Sequence, residues 1–147
     1  MTYQKIIDED CEINFEKAFW IGLTQELSNI DASQIFVLTD SNTKRDCLPL
    51  FDSKFPDNLT YTEICIPAGE AHKNLNTCTK VWQELSDAGA DRKSLLINLG
   101  GGVVCDLGGF VAATYMRGIK WINIPTTLLS MVDASIGGKT GVDFNGL

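Results

Sequence analysis

The chain has 147 residues, 44% of them hydrophobic and 21% charged, with a formal net charge of −7. These values indicate a single globular domain large enough to bury a core, and the acidic balance argues against a nucleic-acid partner. Because no stretch approaches about eighteen apolar residues and the start has no apolar signal-peptide core, we expect neither a membrane span nor export.

The first part of the sequence alternates between strand and helix patterns. An edge strand is predicted at 3–7, and an amphipathic helix follows from Asn14 because apolar residues recur every three or four positions. A continuous apolar run predicts a buried parallel strand at 34–39, and an alternating pattern predicts another strand at 59–66. The next helix passes through 75–85 and ends at Gly89, a normal C-terminal capping residue.

Polar residues follow the strand predicted at 34–39. Because ligands bind at the carboxyl ends of strands in open α/β sheets, Asp40 and Asn42 are well placed to hydrogen-bond a ribose. The alternative is that Asp40 or Ser41 only caps the following helix, and this stretch does not decide between the two.

The turn at 67–74 carries an acid, Glu70, and a base, Lys73, three residues apart. A lysine near the start of a helix opposes the helix dipole unless an anion is bound there. This position therefore favours a binding role for Lys73 over that of a solvated surface charge.

The rest of the chain is organised around the stretch 94–110. A short apolar strand runs directly into Gly100, Gly101 and Gly102, and a helix is predicted from 103 to 113. Three glycines leave no Cβ to hold a ligand off the backbone and allow positive φ, and the helix start presents free N–H groups, so this arrangement predicts a phosphate cradle. The alternative is that the glycines only permit close helix–strand packing. The strict G-x-G-x-x-G motif is not met, since Cys105 stands at its last glycine.

The final part of the chain predicts a strand at 121–124 and a helix capped by Thr126 or Thr127. Leu128, Leu129, Val132 and Ile136 give this helix its apolar face, and Asp133 projects from another side. The helix runs into Gly137-Gly-Lys-Thr-Gly141, which lacks the spacing and the preceding strand of a P-loop. Lys139 is nevertheless a good anion contact.

The succession of strand and helix from 35 to 136 predicts an α/β fold with a Rossmann-like, doubly wound parallel sheet flanked by helices.

One histidine, His72, and five cysteines without a C-x-x-C pair can hardly build a zinc or iron site. Reduced thiols and the missing export signal predict a cytoplasmic location. The end of the sequence, in a glycine-bearing loop, leads us to expect a longer parent protein.

Four blocks of the sequence together resemble the N-terminal half of 3-dehydroquinate synthase. They are Asp40-Ser-Asn42, Gly69-Glu-Ala-His-Lys73, the block 100–118 that begins Gly-Gly-Gly-Val-Val-Cys-Asp, and the block 125–142 that contains Ser-Ile-Gly-Gly-Lys-Thr-Gly. The resemblance implies that 1–147 is an NAD-binding domain. It also implies a helical C-terminal domain, outside this chain, that carries the zinc or cobalt ligands. Two positions depart from the family pattern: Cys105 replaces a common glycine and Asp143 a common asparagine.

The resemblance also assigns roles to individual residues. Asp133 and Lys139 would face the substrate, and Arg117 would reach the substrate phosphate bound by the partner subunit of a homodimer. The residues implied to contact NAD are Asp40, Asn42, Glu70, Lys73, Gly101, Gly102, Val103, Asp106, Thr126 and Thr127.

The family's reaction converts a phosphorylated sugar acid, 3-deoxy-D-arabino-heptulosonate 7-phosphate, into 3-dehydroquinate with loss of phosphate and catalytic use of NAD. The fragment alone is expected to be inactive and to bind NAD weakly. Two rival interpretations are a related sugar-phosphate cyclase or metal-dependent polyol dehydrogenase, and a non-catalytic nucleotide-binding or dimerisation module. Lys139 favours the 3-dehydroquinate synthase reaction over that of a related cyclase or polyol dehydrogenase, because its charge suits an acidic substrate.

Overall fold

A computed structural model describes residues 5–8, 11–14 and 16–146. Short 3₁₀ turns lie at Glu70–His72 and Tyr115–Arg117. The strands and helices, in chain order, are β1 (Lys5–Asp8), β2 (Cys11–Asn14), α1 (Glu16–Asn29), β3 (Ile35–Asp40), α2 (Ser41–Asp46), α3 (Leu48–Asp52), β4 (Thr62–Ile66), α4 (Leu75–Asp87), β5 (Leu95–Gly100), α5 (Gly102–Thr114), β6 (Lys120–Pro125) and α6 (Leu128–Val132).

The centre of the fold is a four-stranded sheet in the order β4-β3-β5-β6, with all neighbouring strands parallel. Every residue of β5 is buried, because helices cover both faces. On one face α4 and α5 pack over Phe36, Leu38 and Leu96, and on the other α1 and α3 pack over Val37 and Ile97. The predicted α/β fold with a parallel, helix-flanked sheet is confirmed.

A crevice opens between β3 and β5, where the strand order reverses direction. After β3 the chain continues to β4 on one side, and it returns to β5 on the other side of β3. The β3–β5 ladder ends at Leu38 and Asn98, although β3 continues to Asp40 and β5 to Gly100. The last two residues of each strand therefore part from one another. Such a switch point is where open parallel sheets bind ligands.

The structure corrects three of the predicted elements at their edges. β1 is half of an antiparallel hairpin with β2 and not an edge of the main sheet; residues 3 and 4 of its predicted span lie outside the described residues. β4 begins at Thr62 and not at Leu59, because Leu59 and Tyr61 instead pack into the cluster around Phe51.

Within the described ranges, no helix is both long and apolar enough to span a bilayer.

The third correction concerns α6, which ends at Val132 and does not reach residue 136. Asp133 leaves the helical region at φ −133° and ψ −83°, and tight turns carry the chain on to Gly137. The predicted apolar face is also not buried: Leu128 is 76% and Leu129 71% exposed. Periodicity identified the helix, but nothing within the described part of the chain covers its apolar side.

Candidate functional site

The glycine turn joins β5 to α5 at the open edge of the crevice. Gly101 is the N-cap of α5 with φ −79° and ψ −162°, and its missing side chain makes no capping bond to the helix. The first backbone N–H groups of α5 therefore lie at this open edge of the crevice. A helix of 13 residues directs its positive dipole end to the same place.

The surroundings of Gly100, Gly101 and Gly102 differ, and so does the reason why each position holds glycine. A Cβ on Gly100 would lie 2.5 Å from Val104, and one on Gly101 would lie 3.2 Å from the methyl group of Thr127, whereas one on Gly102 would meet no heavy atom within 4 Å. Close packing therefore accounts for Gly100 and Gly101, while Gly102 borders open space. None of the three uses the positive φ that glycine allows. Their contribution is the space left by the missing side chains.

Asp40 lies on the other side of the crevice, at the end of β3, and caps α2. Its Oδ1 accepts hydrogen bonds from the backbone N–H groups of Asn42 at 2.9 Å and Thr43 at 2.8 Å, in a capping box completed by the Thr43 hydroxyl. Asp40 thus caps a helix, as one interpretation of the sequence predicted, and it also stands at the carboxyl end of a strand. Asn42 is exposed in the first turn of α2.

Lys73 is the electrostatic centre of the site. Its Nζ lies 3.0 Å from Asp106 Oδ2 in α5 and 3.3 Å from Glu70 Oε1 in its own turn. Burial lowers the pKa of Lys73, but the hydrogen bonds and charges of Asp106 and Glu70 outweigh it, so the pKa is raised. The ammonium therefore stays protonated and holds two carboxylates beside the α5 N-terminus.

The strand β6 brings two threonines to the glycine turn. The Thr126 N–H donates to the Gly100 carbonyl at 2.9 Å. Thr127 caps α6 through a capping box with buried Ser130, and its methyl group faces Gly101. Thr126 and Thr127 thus stand beside the α5 start, and their contact with NAD stays a prediction. Val103 is partly buried in the first turn of α5.

The three residues predicted to act on the substrate are all exposed, and they lie in different places. Asp133 ends α6, and Lys139 lies in the glycine-rich segment that follows. Arg117 lies between α5 and β6, at the amino edge of the sheet, about 20 Å from the glycine turn given the length of α5. Arg117 therefore cannot join the site of its own chain. Within the described ranges, neither Lys139 nor Arg117 forms an ion pair.

Several structural partners of the site were not predicted. Asn74 caps α4 by accepting from the Thr77 N–H at 3.1 Å, which the Asn-x-x-Thr spacing could have indicated. The Lys73–Asp106 pair joins residues 33 positions apart, and nothing local in the sequence reveals it. Among the described residues, no three His, Cys, Asp or Glu side chains come together as a metal site. The described part of the chain therefore does not fit a resident metal ion.

The fold and the site define an α/β protein with a ligand crevice at the carboxyl edge of a parallel sheet. A family model described as the N-terminal part of 3-dehydroquinate synthase matches residues 63–147. The chain belongs to this family, as its sequence motifs predicted.

Individual relatives agree with the family assignment. The 3-dehydroquinate synthase of Parabacteroides distasonis is 47% identical over 121 residues, which is 82% of this chain and 34% of the relative. That of Prochlorococcus marinus is 40% identical over 155 aligned positions, covering 97% of this chain and 42% of the relative. The chain thus spans between a third and a little over two fifths of the length of these two proteins.

A solved structure shows the same fold over nearly the whole chain. It is a 2-deoxy-scyllo-inosose synthase complexed with carbaglucose-6-phosphate, NAD+ and Co2+. The TM-score is 0.83 at 23% identity, and the match covers 98% of this chain and 40% of that one. At this identity the likeness concerns the fold alone.

Proposed function

We propose that this chain is the NAD-binding domain of a 3-dehydroquinate synthase, and that the diphosphate of NAD lies over Gly102 at the start of α5. The observation that carries the proposal is the open space at Gly102, beside unpaired helix N–H groups. Family membership and the NAD+ bound by the 2-deoxy-scyllo-inosose synthase of the same fold support it.

The residues around the crevice suit the separate parts of a dinucleotide. Backbone N–H groups of Gly102 and Val103 would bind the diphosphate, because they are donors at the positive end of α5. Asp40 and Asn42, across the crevice, would hold the adenosine ribose by hydrogen bonds from its hydroxyl groups. The other cofactor contacts that we propose are Glu70, Lys73, Gly101, Asp106, Thr126 and Thr127.

When bound, NAD supplies a hydride acceptor and donor, which permits transient oxidation of a substrate alcohol. This chain's own part would be to orient the cofactor and to bind anions. Lys139 and Asp133 would face a phosphorylated sugar acid, with Lys139 neutralising one of its anionic groups. Since Arg117 lies at the opposite edge of the sheet, we propose that it binds the substrate phosphate of a partner subunit in a homodimer.

Because the curated relatives are two to three times longer, we propose that the 147-residue chain does not turn over the heptulosonate phosphate by itself. Zinc or cobalt would belong to the remaining part of the full-length enzyme. Phosphate release without net NADH by the full-length protein would separate this activity from that of a polyol dehydrogenase. A related cyclase would instead release phosphate or close a ring from a different sugar phosphate.

Titration of the chain with NAD, followed by calorimetry, tests the cofactor site. Gly102→Ala places a methyl group in the open space, so we expect the dissociation constant for NAD to rise at least tenfold with no loss of fold. Ala113→Ser, on the exposed far end of the same helix, is the control and should leave the affinity unchanged. Equal NAD affinity in all three proteins would contradict the proposed position of the diphosphate.

A further inference from the structure

The segment 137–143, which carries Lys139, is attached to the site at two points. The Asp143 N–H donates to the Lys73 carbonyl at 2.8 Å, and Asp143 forms a parallel bridge with Asn74. The Thr140 side chain lies against Gly109 in the middle of α5. The segment is therefore fixed on both α5 and the turn before α4, while the Lys139 side chain remains exposed.

The contact between Thr140 and Gly109 requires glycine. A Cβ on Gly109 would lie 2.3 Å from Thr140 Cγ2 and 3.2 Å from Thr140 Cβ, and the first distance is far below van der Waals contact. Glycine in a helix interior is destabilising relative to alanine. Gly109 is nevertheless buried at position eight of a 13-residue helix. Its missing side chain makes room for the Thr140 methyl group, and this close approach is the structural use of that glycine.

We infer that Thr140 is a positioning residue for Lys139: its methyl group, seated on Gly109, fixes the backbone from which the Lys139 ammonium reaches an anionic ligand. The identity of that ligand rests on the proposed function, but the seating does not. Lys139 is the direct neighbour of Thr140, so a displacement of the Thr140 backbone away from Gly109 also displaces the Lys139 Cα. The second attachment, to the Lys73 carbonyl, fixes the segment relative to the turn whose ammonium binds Asp106.

Two readouts on the 147-residue chain test the contact of Thr140 with Gly109 without an assay of enzyme activity. One is amide hydrogen exchange of Asp143, whose N–H is bonded to Lys73. The other is the rate of tryptic cleavage after Lys139, which needs the segment to detach. In Gly109→Ala the new methyl group displaces Thr140, so we expect exchange to rise at least tenfold and cleavage at least fivefold.

A second substitution should restore the seating. Thr140→Ser removes the Cγ2 atom that clashes, so Gly109→Ala/Thr140→Ser should return both rates to within about twofold to threefold of the wild type. Ala113→Gly changes helix propensity on an exposed position of α5 and should leave both rates unchanged. If Gly109→Ala does not fold, Thr140→Ala removes the methyl contact without a clash and should still accelerate exchange at least threefold.

Unchanged exchange and cleavage in folded Gly109→Ala, or in Thr140→Ala, would overturn the inference. In the full-length enzyme, Gly109→Ala should raise KM for the phosphorylated substrate at least fivefold, with NAD affinity unchanged within twofold and rescue by Thr140→Ser. Exchange that responds as expected while NAD does not bind would instead refute the proposed function and leave the seating intact.

Discussion

The ammonium of Lys73 lies 3.0 Å from the carboxylate of Asp106 and thereby ties the turn before α4 to the first half of α5. Both side chains are largely shielded from water, at 18% and 23% exposure. Glu70 binds the same ammonium, but its own side chain is 65% exposed. The pair with Asp106 is therefore the stronger structural link, and the pair with Glu70 is screened by solvent.

We expect either Lys73→Met or Asp106→Asn to lower the free energy of unfolding by about 1–2 kcal/mol. The first leaves the partly buried Asp106 carboxylate without its partner, and the second leaves the Lys73 ammonium only the exposed Glu70. The double variant should lose less than the sum of the two single losses, with a coupling of about 1 kcal/mol. Urea denaturation of the four proteins measures these values.

The control for this prediction is the ion pair of Lys93 with Asp31, which has a distance of 3.5 Å and side chains 71% and 96% exposed. Lys93→Met should change stability by less than about 0.5 kcal/mol. An Asp106→Asn variant as stable as Lys93→Met would show that the Lys73–Asp106 pair does not hold α5 to the turn.

The sequence predicted best those elements whose signal is local. The apolar run that became β5 predicted a strand buried on both faces, and Gly89 follows α4 with a positive φ of 78° as a capping glycine does. The Gly100–Gly102 turn was also placed correctly at a helix start. In each case the residue types themselves carry the backbone information.

The sequence could not predict features that depend on a distant neighbour. The spacing of apolar residues in α6 predicts a helix face suited to burial. It does not predict whether this chain supplies a surface to cover that face, and Leu129 is in fact 71% exposed. In the same way, Gly109 and Thr140 are ordinary residues until the fold brings them together. The candidate site residues were predicted from the sequence and stay predictions, while pairs such as Lys73 with Asp106 required coordinates.

Gly108 faces the sheet, about 100° around the axis of α5 from Gly109, which receives Thr140. A Cβ there would lie 2.0 Å from Asn98 Oδ1, a fully buried atom without a hydrogen-bond partner among the described residues. Gly108→Ala should therefore lower the free energy of unfolding by about 2–3 kcal/mol through overpacking. Asn98→Ala/Gly108→Ala should recover at least half of this loss, although Asn123 then loses its donor at 2.9 Å.

Chemical denaturation of Gly108→Ala beside Gly102→Ala separates the overpacking against Asn98 from the effect of helix propensity. The new methyl group at Gly102 meets no atom within 4 Å, so propensity alone should keep or raise stability there, by up to about 1 kcal/mol. Similar stabilities for Gly108→Ala and Gly102→Ala would mean that α5 can move away from Asn98 without cost.

The loop that carries Arg117 is held in an unfavourable backbone conformation. Met116 and Arg117 have positive φ values of 47° and 73°, followed by Gly118 at 107°. A left-handed conformation costs a non-glycine residue about 1–2 kcal/mol, and the Met116 side chain is half exposed, so little burial is lost on its removal.

Met116→Gly should therefore raise the free energy of unfolding by about 0.5–1 kcal/mol, part of the relieved strain being offset by backbone entropy. Thr114→Gly, at a φ of −102° two residues earlier, lacks that strain and should lower stability by about 1 kcal/mol. Thermal and urea unfolding of both variants checks the contrast, and equal losses in the two would remove the case for strain in this loop.

Cys105 and Cys65 should differ sharply in their reactivity. Burial, with a smaller contribution from the charge of Asp106, raises the pKa of the Cys105 thiol from 9.0 to about 12, and the side chain is inaccessible. Cys65 is exposed on β4. Because the thiolate is the nucleophile, iodoacetamide at pH 8 should modify Cys65 in the native chain and leave Cys105 unmodified until urea is added. Peptide mass spectrometry identifies each product.

The raised pKa of Cys105 also fixes the sign of a pH effect on stability. The folded state keeps this proton more tightly than the unfolded state, so its contribution is complete below pH 9 and is lost as the pH rises from about 9 towards 12. Cys105→Ala should flatten the fall in stability over that range. An unchanged slope in Cys105→Ala, or native-state labelling of Cys105 as fast as that of Cys65, would show that the thiol behind the glycine turn is open to solvent.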